Sequence, residues 1–310
     1  FNIFELGADL KLSIPRILIP FTQKEWIPRI MNPKTEIIVG SSFQQNIGLD
    51  KQFFKGTYQF DWQPNGEKKI QIKLLDLEFV NNRNLTNYFN VYKNSYDRLN
   101  TISQRYNFET SWVDDNNNLT IPEGASNFIN AVLENQTPLE IDDNEFKLVN
   151  TAKERQARLT SNNLILASSI NLNLNSQESI FDENFYQFRW KVTLAGNLLN
   201  KIISSMRVPK NDQGQNLLGG LSPSQYIKTE FDYIKHLSLG RERVFALHAF
   251  TGIAIPYGNS TNMPFARSFF SGGANDNRAW KAYKLGPGSS SNINEFNEAN
   301  LKLTLSLEYR

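Results

Sequence analysis

The sequence predicts an all-β fold, an antiparallel transmembrane β-barrel, and three observations carry that reading. Apolar and polar side chains alternate position by position over long runs, the period-two pattern of strands. Short, turn-like connections alternate with long ones, the asymmetry of outer-membrane barrels. Aromatic residues make up 12% of the chain and charged residues 21%, while the mean hydropathy is that of a water-soluble protein, at −0.46. Such a mixture arises when half of each strand faces lipid and the other half faces a wet lumen.

The runs follow one another along the chain. From Phe4 the apolar set is Leu6, Ala8, Leu10, Leu12 and Ile14, set against Glu5, Asp9, Lys11 and Ser13. From Phe54 it is Gly56, Tyr58, Phe60 and Trp62, set against Lys55, Thr57, Gln59 and Asp61. From Tyr186 come Phe188, Trp190, Val192 and Leu194, against Gln187, Arg189, Lys191 and Thr193. From Ile227 come Thr229, Phe231 and Tyr233, against Lys228, Glu230 and Asp232. The cleanest run is Leu301, Leu303, Leu305, Leu307 and Tyr309, alternating with Lys302, Thr304, Ser306, Glu308 and Arg310. Less regular runs cover Thr35–Gln45, Lys68–Val80, Asn162–Leu174 and Arg241–Ile255, and the second of these slips phase at Leu74-Leu75, as a β-bulge would make it do. A soluble β-sandwich also alternates. Aromatic residues near the strand ends and polar faces charged along their length favour the membrane barrel.

Connections add an independent argument. Gln63–Glu67, Ser176–Asp182 and Ser238–Arg241 read as tight turns; Asn81–Glu154, Asn200–Ser222 and Pro256–Asn297 are long and fall on the other rim. Pro15–Lys34 is long although it falls on the short-turn side, and Asn46–Lys51 is short where length is allowed. The insert of about 81–154 is polar and Asn-rich, with a helical pattern near Asn90–Tyr106 through Val91, Leu99 and Ile102.

Composition closes off other classes. A net charge of +2 marks no bulk nucleic-acid binder, and the absence of cysteine excludes disulfides, thiolate zinc sites and a cysteine nucleophile. No apolar stretch reaches the 18 or so residues of a transmembrane helix. His236 and His248 read as lumen or rim residues rather than metal ligands. No Gly-x-Ser-x-Gly elbow accompanies them, and Glu230, Asp232 and Glu242 are better explained by strand and turn position than as an acid pair. No enzymatic activity and no cofactor are therefore expected. The three Asn-x-Thr sites, at Asn84, Asn118 and Asn259, carry no meaning in a bacterial membrane. Phe1–Glu5 has no signal-peptide character, and the runs end inside a strand at Arg310; single-chain bacterial barrels have even strand numbers and tolerate no open edge in lipid, so further strands are expected outside this sequence.

One loop is chemically unusual. It runs Met263-Pro-Phe-Ala-Arg-Ser-Phe-Phe-Ser-Gly-Gly-Ala-Asn-Asp-Asn-Arg-Ala-Trp280, followed by Leu285-Gly-Pro-Gly288; Gly272-Gly273 and Gly286-Pro287-Gly288 demand special backbone geometry, and between them lie one arginine and bulky aromatics. It lacks the Gly-Lys-Ser/Thr ending of a phosphate loop. The segment "FFSGGANDNRAW…LGPG", with the following strand ending "SLEYR", resembles the sixth extracellular loop and next strand of BamA/TamA-like barrels, most closely the TamA-like lipoprotein (TamL) branch. The match is specific in this loop and elsewhere rests on pattern. The resemblance implies that the loop folds into the lumen and that its tip, usually Val/Ile-Arg-Gly-aromatic, presents an arginine to acidic groups on the inner wall. Arg278 and Trp280 occupy the matching positions; Asn277 stands where an aliphatic is usual and Ala279 where glycine is usual. The acidic partner falls on Glu308, which the alternation independently puts on the polar face. An Arg278–Glu308 pair locking the loop is the expectation.

The resemblance also implies a sixteen-stranded barrel of which these runs are the fourth to twelfth, with POTRA domains and remaining strands absent. It implies a bacterial outer-membrane insertion, assembly or translocation factor rather than an enzyme. Its partners would be outer-membrane lipids and lipopolysaccharide, client outer-membrane proteins and accessory outer-membrane subunits, with no nucleic acid. The alternatives are a passive porin-like channel or a two-partner-secretion-type transporter barrel, which share the architecture. A soluble carbohydrate-binding sandwich is a more distant reading, which solubility without detergent would favour.

Overall fold

Period-two patterning builds one antiparallel sheet. The computed structural model describes residues 4–19, 27–45, 50–83, 85–105, 110–134, 143–197, 201, 208–211, 215–218, 220–240, 243–260, 262–274, 276–280 and 299–310. Its strands are β1 (Phe4–Ile14), β2 (Lys34–Gln45), β3 (Asp50–Trp62), β4 (Lys68–Arg83), β5 (Asn163–Asn175), β6 (Phe185–Ala195), β7 (Tyr226–Ser238), β8 (Val244–Pro256) and β9 (Leu301–Tyr309). Each pairs with the next in chain order, so the sheet is a continuous meander with β1 and β9 at its edges. At 9 to 16 residues the strands are long enough to cross a bilayer, which takes about 9–11.

Burial is inverted relative to a water-soluble sheet. On the outer face Leu10 is 80% exposed, and Leu303 and Leu305 are 68% and 67% exposed. On the inner face Thr57, Gln59 and Asp61 are buried. Polar groups inside and leucines outside suit a chain whose outer solvent is hydrocarbon. The inner groups bind one another: Gln59 donates to Glu36 at 2.7 Å, Gln71 to Asp61 at 2.9 Å and Thr57 to Asp76 at 3.1 Å.

The phase slip in β4 is a bulge. Tyr58 of β3 pairs with Leu75 and Gln59 with Lys73, which leaves Leu74 as the extra residue; its carbonyl accepts the Ser168 hydroxyl at 2.7 Å. Before the bulge Ile70 and Ile72 share the outer face with Trp62 and Phe60; after it Leu75, Leu77 and Phe79 do. One extra residue exchanges the two faces of a strand. Asp76 and Glu78 consequently point inward, where an unbroken alternation would send them to lipid.

The tight turns cluster at one end, where the amide of Asn175 donates to Glu67 and that of Gln63 to Met31. The long link between β1 and β2 folds back on the same end. Its Leu18 carbonyl accepts the Tyr58 hydroxyl, and Thr35 bonds both the Arg16 carbonyl, at 2.7 Å, and the Leu18 amide, at 2.9 Å.

The β4–β5 insert carries the helix expected near 90–106, but it is more than a polar loop with one helix. Among the described residues it has four helices, α1 (Tyr88–Val91), α2 (Lys93–Ser103), α3 (Glu123–Leu133) and α4 (Asp143–Thr160), the last running past the boundary expected at 154. Tyr88, Phe89, Leu99, Ile102, Phe128, Ile129, Val132 and Val149 form its own buried core. Helical spacing was present in Ala125, Phe128, Ile129 and Val132, but Asn-rich turns dominate the local composition and mask it. Asn100 ties two of these pieces together, donating to Asn118 at 2.6 Å and accepting the Leu119 amide at 2.8 Å.

Candidate functional site: a loop docked in the lumen

The β8–β9 connection leaves Pro256 and returns against the inner wall. That wall is hollowed by small residues: Ala167 on β5, Ala195 on β6 and Ala254 on β8 are all buried, beside Ile165 and Tyr226. Met263 and Phe269 of the loop fill the hollow. Gly252 completes it, because a Cβ there would lie 2.4 Å from the Phe269 ring. Phe250 meets the same ring edge-on at 6.0 Å, and the Lys228 ammonium sits 4.0 Å from its centroid, a cation–π contact. A two-way backbone bridge to Ala299, at 2.9 and 2.7 Å, pins Phe269 from the other side.

Between these anchors a 3₁₀ turn at Phe265–Arg267 presents Arg267 to β4. Its guanidinium lies 2.5 Å from Glu78 and 3.8 Å from Asp76. The Arg267 carbonyl accepts a bond from Lys228 at 3.0 Å, and Lys228 lies 3.5 Å from Glu230. The half-buried guanidinium keeps its charge: burial opposes ionisation, but the Glu78 and Asp76 carboxylates beside it outweigh that cost.

The tip beyond is closed on itself. Gly272 and Gly273 have φ of 96° and 106°, a region side chains rarely adopt, which meets the expectation of special backbone geometry. Gly273 donates to the Trp280 carbonyl at 2.8 Å and Trp280 to Asn277 at 3.1 Å. Asp276 accepts the Gly272 amide at 2.8 Å and pairs with Lys302 of β9 at 3.0 Å. Burial works against the Asp276 carboxylate, yet the bonds from Lys302 and Gly272 and the Lys302 charge hold its pKa below the ordinary value.

The predicted lock is not made in this arrangement. Arg278 is exposed, and its Nε donates to Ala274 in its own loop at 3.2 Å. Glu308 faces the lumen side of β9, opposite Ala246, but both its oxygens accept from Arg310, two residues along on the same face, at 2.9 and 3.1 Å. Asn277, Ala279 and Trp280 are exposed at the tip; Gly286 and Pro287 lie outside the described residues. Sequence reasoning passed over Arg267. The available signal was the phase slip at Leu74, which turns two carboxylates inward without a cation on a neighbouring strand to match both.

The histidines sit as expected on the inner face. His248 bonds Asp232 at 2.8 Å, Asp232 also pairs with Arg189 at 2.9 Å, and His236 stacks on Phe185 at 4.4 Å. Glu230 and Asp232 are thus each committed to cations, while Glu242 lies outside the described residues. Among the described residues no cluster of metal-ligating side chains occurs.

An apolar exterior, a polar interior and a loop clamped within it define a membrane-spanning β-barrel with an internal loop. Residues 39–310 match the Omp85 superfamily domain, and the chain belongs to that superfamily. Its fold is also that of BamA from Haemophilus ducreyi lacking POTRA domains 1–3, with a TM-score of 0.52 at 10% identity over 98% of this chain. The chain spans 44% of that structure's length. No curated protein sequence matches it. As an Omp85 barrel it is a component of the bacterial outer membrane, in a family of non-catalytic assembly factors.

Proposed function

We propose that this chain is the barrel part of a factor that inserts or translocates outer-membrane and surface proteins, in the TamA-like lipoprotein branch, with client barrels and outer-membrane lipids as its partners. The observation that carries this reading is the loop packed against the inner wall and tied there by an arginine, a plugged rather than an open lumen. Purified full-length protein in liposomes tests it. Accelerated insertion of client barrels is expected; ion conductance without assisted insertion would instead assign the barrel to passive channels.

The exposed tip belongs to the same reading. Gly272, Gly273, Asn277, Arg278, Ala279 and Trp280 form a latch that closes on Glu308 when that carboxylate exchanges Arg310 for Arg278. Exchanging one guanidinium for another keeps the charge balanced. An exposed pair such as Glu308–Arg310 is weak, so little is lost when it opens. Protease resistance of the Arg278→Ala and Glu308→Ala variants is the measurement, and parental behaviour in both removes the latch.

A further inference from the structure

We propose that Arg267 is the positioning residue that holds the loop in the lumen, and that the β4 bulge at Leu74 serves to turn its two carboxylate partners inward. The inference rests on the docked loop and holds whichever protein-assembly role the barrel performs.

Four observations converge on it. Arg267 reaches back from β8, past β7, β6 and β5, to β4, so among the described residues its bonds are the loop's most distant attachment around the wall. Its partners acquire their lumen orientation only through the register shift, since Asp76 and Glu78 lie after the extra residue and share the inner face with Thr57 and Lys55 of β3. Other cations near that wall do not replace it: Lys73 lies 3.6 Å from Asp76 and Lys191 4.0 Å from Glu230, and although Lys55 of β3 stands opposite Glu78 in register, among the described residues Glu78 is ion-paired with the Arg267 guanidinium alone. Finally, Arg267 is held at its other end by Lys228, which accompanies both the Arg267 carbonyl and the Phe269 ring. A guanidinium with two carboxylates on one side and a tethered backbone on the other fixes position, because its planar donors demand a particular approach that an ammonium does not.

The hollow and the anchor divide the task. Apolar packing of Met263 and Phe269 is non-directional, so any sliding that keeps them covered is permitted. The Arg267 fork selects one register of the loop along the wall. The tip that follows, from Gly272 to Trp280, is placed relative to β9 only once that register is set.

Because the chain has no cysteine, a thiol at Met263 is unique in it and reports whether the hollow is filled. The experiment measures labelling of Met263→Cys by a water-soluble maleimide in the folded, membrane-reconstituted full-length protein. Adding Arg267→Ala should accelerate labelling by about tenfold or more, since a buried thiol reacts in proportion to its open population. Arg267→Lys should fall between the two, and the charge-reversed pair Arg267→Glu with Glu78→Arg should return labelling to near the parental rate. Where Arg267→Ala fails to assemble, the charge-reversed pair decides: assembly with a protected thiol supports the anchor, and an unassembled or freely labelled pair overturns it. Parental labelling in Arg267→Ala also overturns it. Client insertion is measured separately, so a docked loop in an inactive barrel would refute the assembly role while leaving the anchor standing.

Discussion

Asp276 shows how much of the docked loop depends on individual charges. Its carboxylate is mostly buried, and it is tolerable there because Lys302 and the Gly272 amide bond it. A carboxyl whose folded pKa lies below its unfolded one contributes stability at pH values above the unfolded pKa, and the contribution fades as pH falls through the folded value. The loop's attachment to β9 should therefore be intact at neutral pH and weaken under acid, in and below the ordinary carboxylate range. Asp276→Asn should remove that acid dependence, and thiol protection followed across a pH titration is the measurement. Unchanged acid sensitivity in Asp276→Asn would assign the effect to other carboxylates. Arg267 lies at the other extreme, because deleting it leaves Glu78 without its ion-pair partner at a half-buried site, where the loss is smaller than the roughly 3–5 kcal/mol of a fully buried pair.

At the scale of the element, a strand here must satisfy two solvents at once. β9 carries Leu301, Leu303, Leu305 and Leu307 outward, all more than half exposed, and Lys302 and Thr304 inward. Leu305→Arg places a charge near the middle of the lipid face and should destabilise the barrel by about 2–4 kcal/mol, whereas Thr304→Arg, one residue away and facing the lumen, should cost much less. Urea unfolding in lipid vesicles distinguishes them, and equal losses would contradict the assignment of faces. β4 makes the same point differently. Among the described strands its bulge is the one place where the register shifts, and the break delivers the carboxylates on which the loop's anchor depends.

At the scale of the whole molecule, two bodies with separate cores share one chain. The barrel buries polar groups and exposes apolar ones; the insert between β4 and β5 does the reverse, with Phe128, Ile129 and Leu99 almost fully enclosed. Their junction is narrow: Asn82 bonds Asn162 at 2.6 Å and Ser161 at 2.7 Å, at the mouth of the β4–β5 pair. Phe128→Ala should cost the insert about 3–5 kcal/mol and leave the barrel folded. Limited proteolysis should then cut within the insert while the barrel keeps its heat-dependent gel mobility. Loss of that mobility would mean that the two bodies fold as one.

What could be read from residues alone and what could not follow from the range of the forces involved. Alternation is local, so the sequence by itself determined the strands, the faces, the turn asymmetry, the bulge and the lumen-side position of Glu308. The glycine pair at Gly272-Gly273 was legible for the same reason, since backbone geometry is a property of the residue. The helical insert was half legible: its apolar spacing is local, but only packing of four short helices makes any of them stable. Which arginine meets which carboxylate was decided by the tertiary structure alone. Arg278 stands at the position that the resemblance singles out and Arg267 does not, yet neither carries a local mark of the carboxylate it meets. The small residues of β5, β6 and β8 open the hollow that seats Met263 and Phe269, and the register of that seat carries Arg267 to Glu78. Ion pairing is strong only at a few ångströms, and the 189 residues that separate these two partners along the chain give no local trace of it.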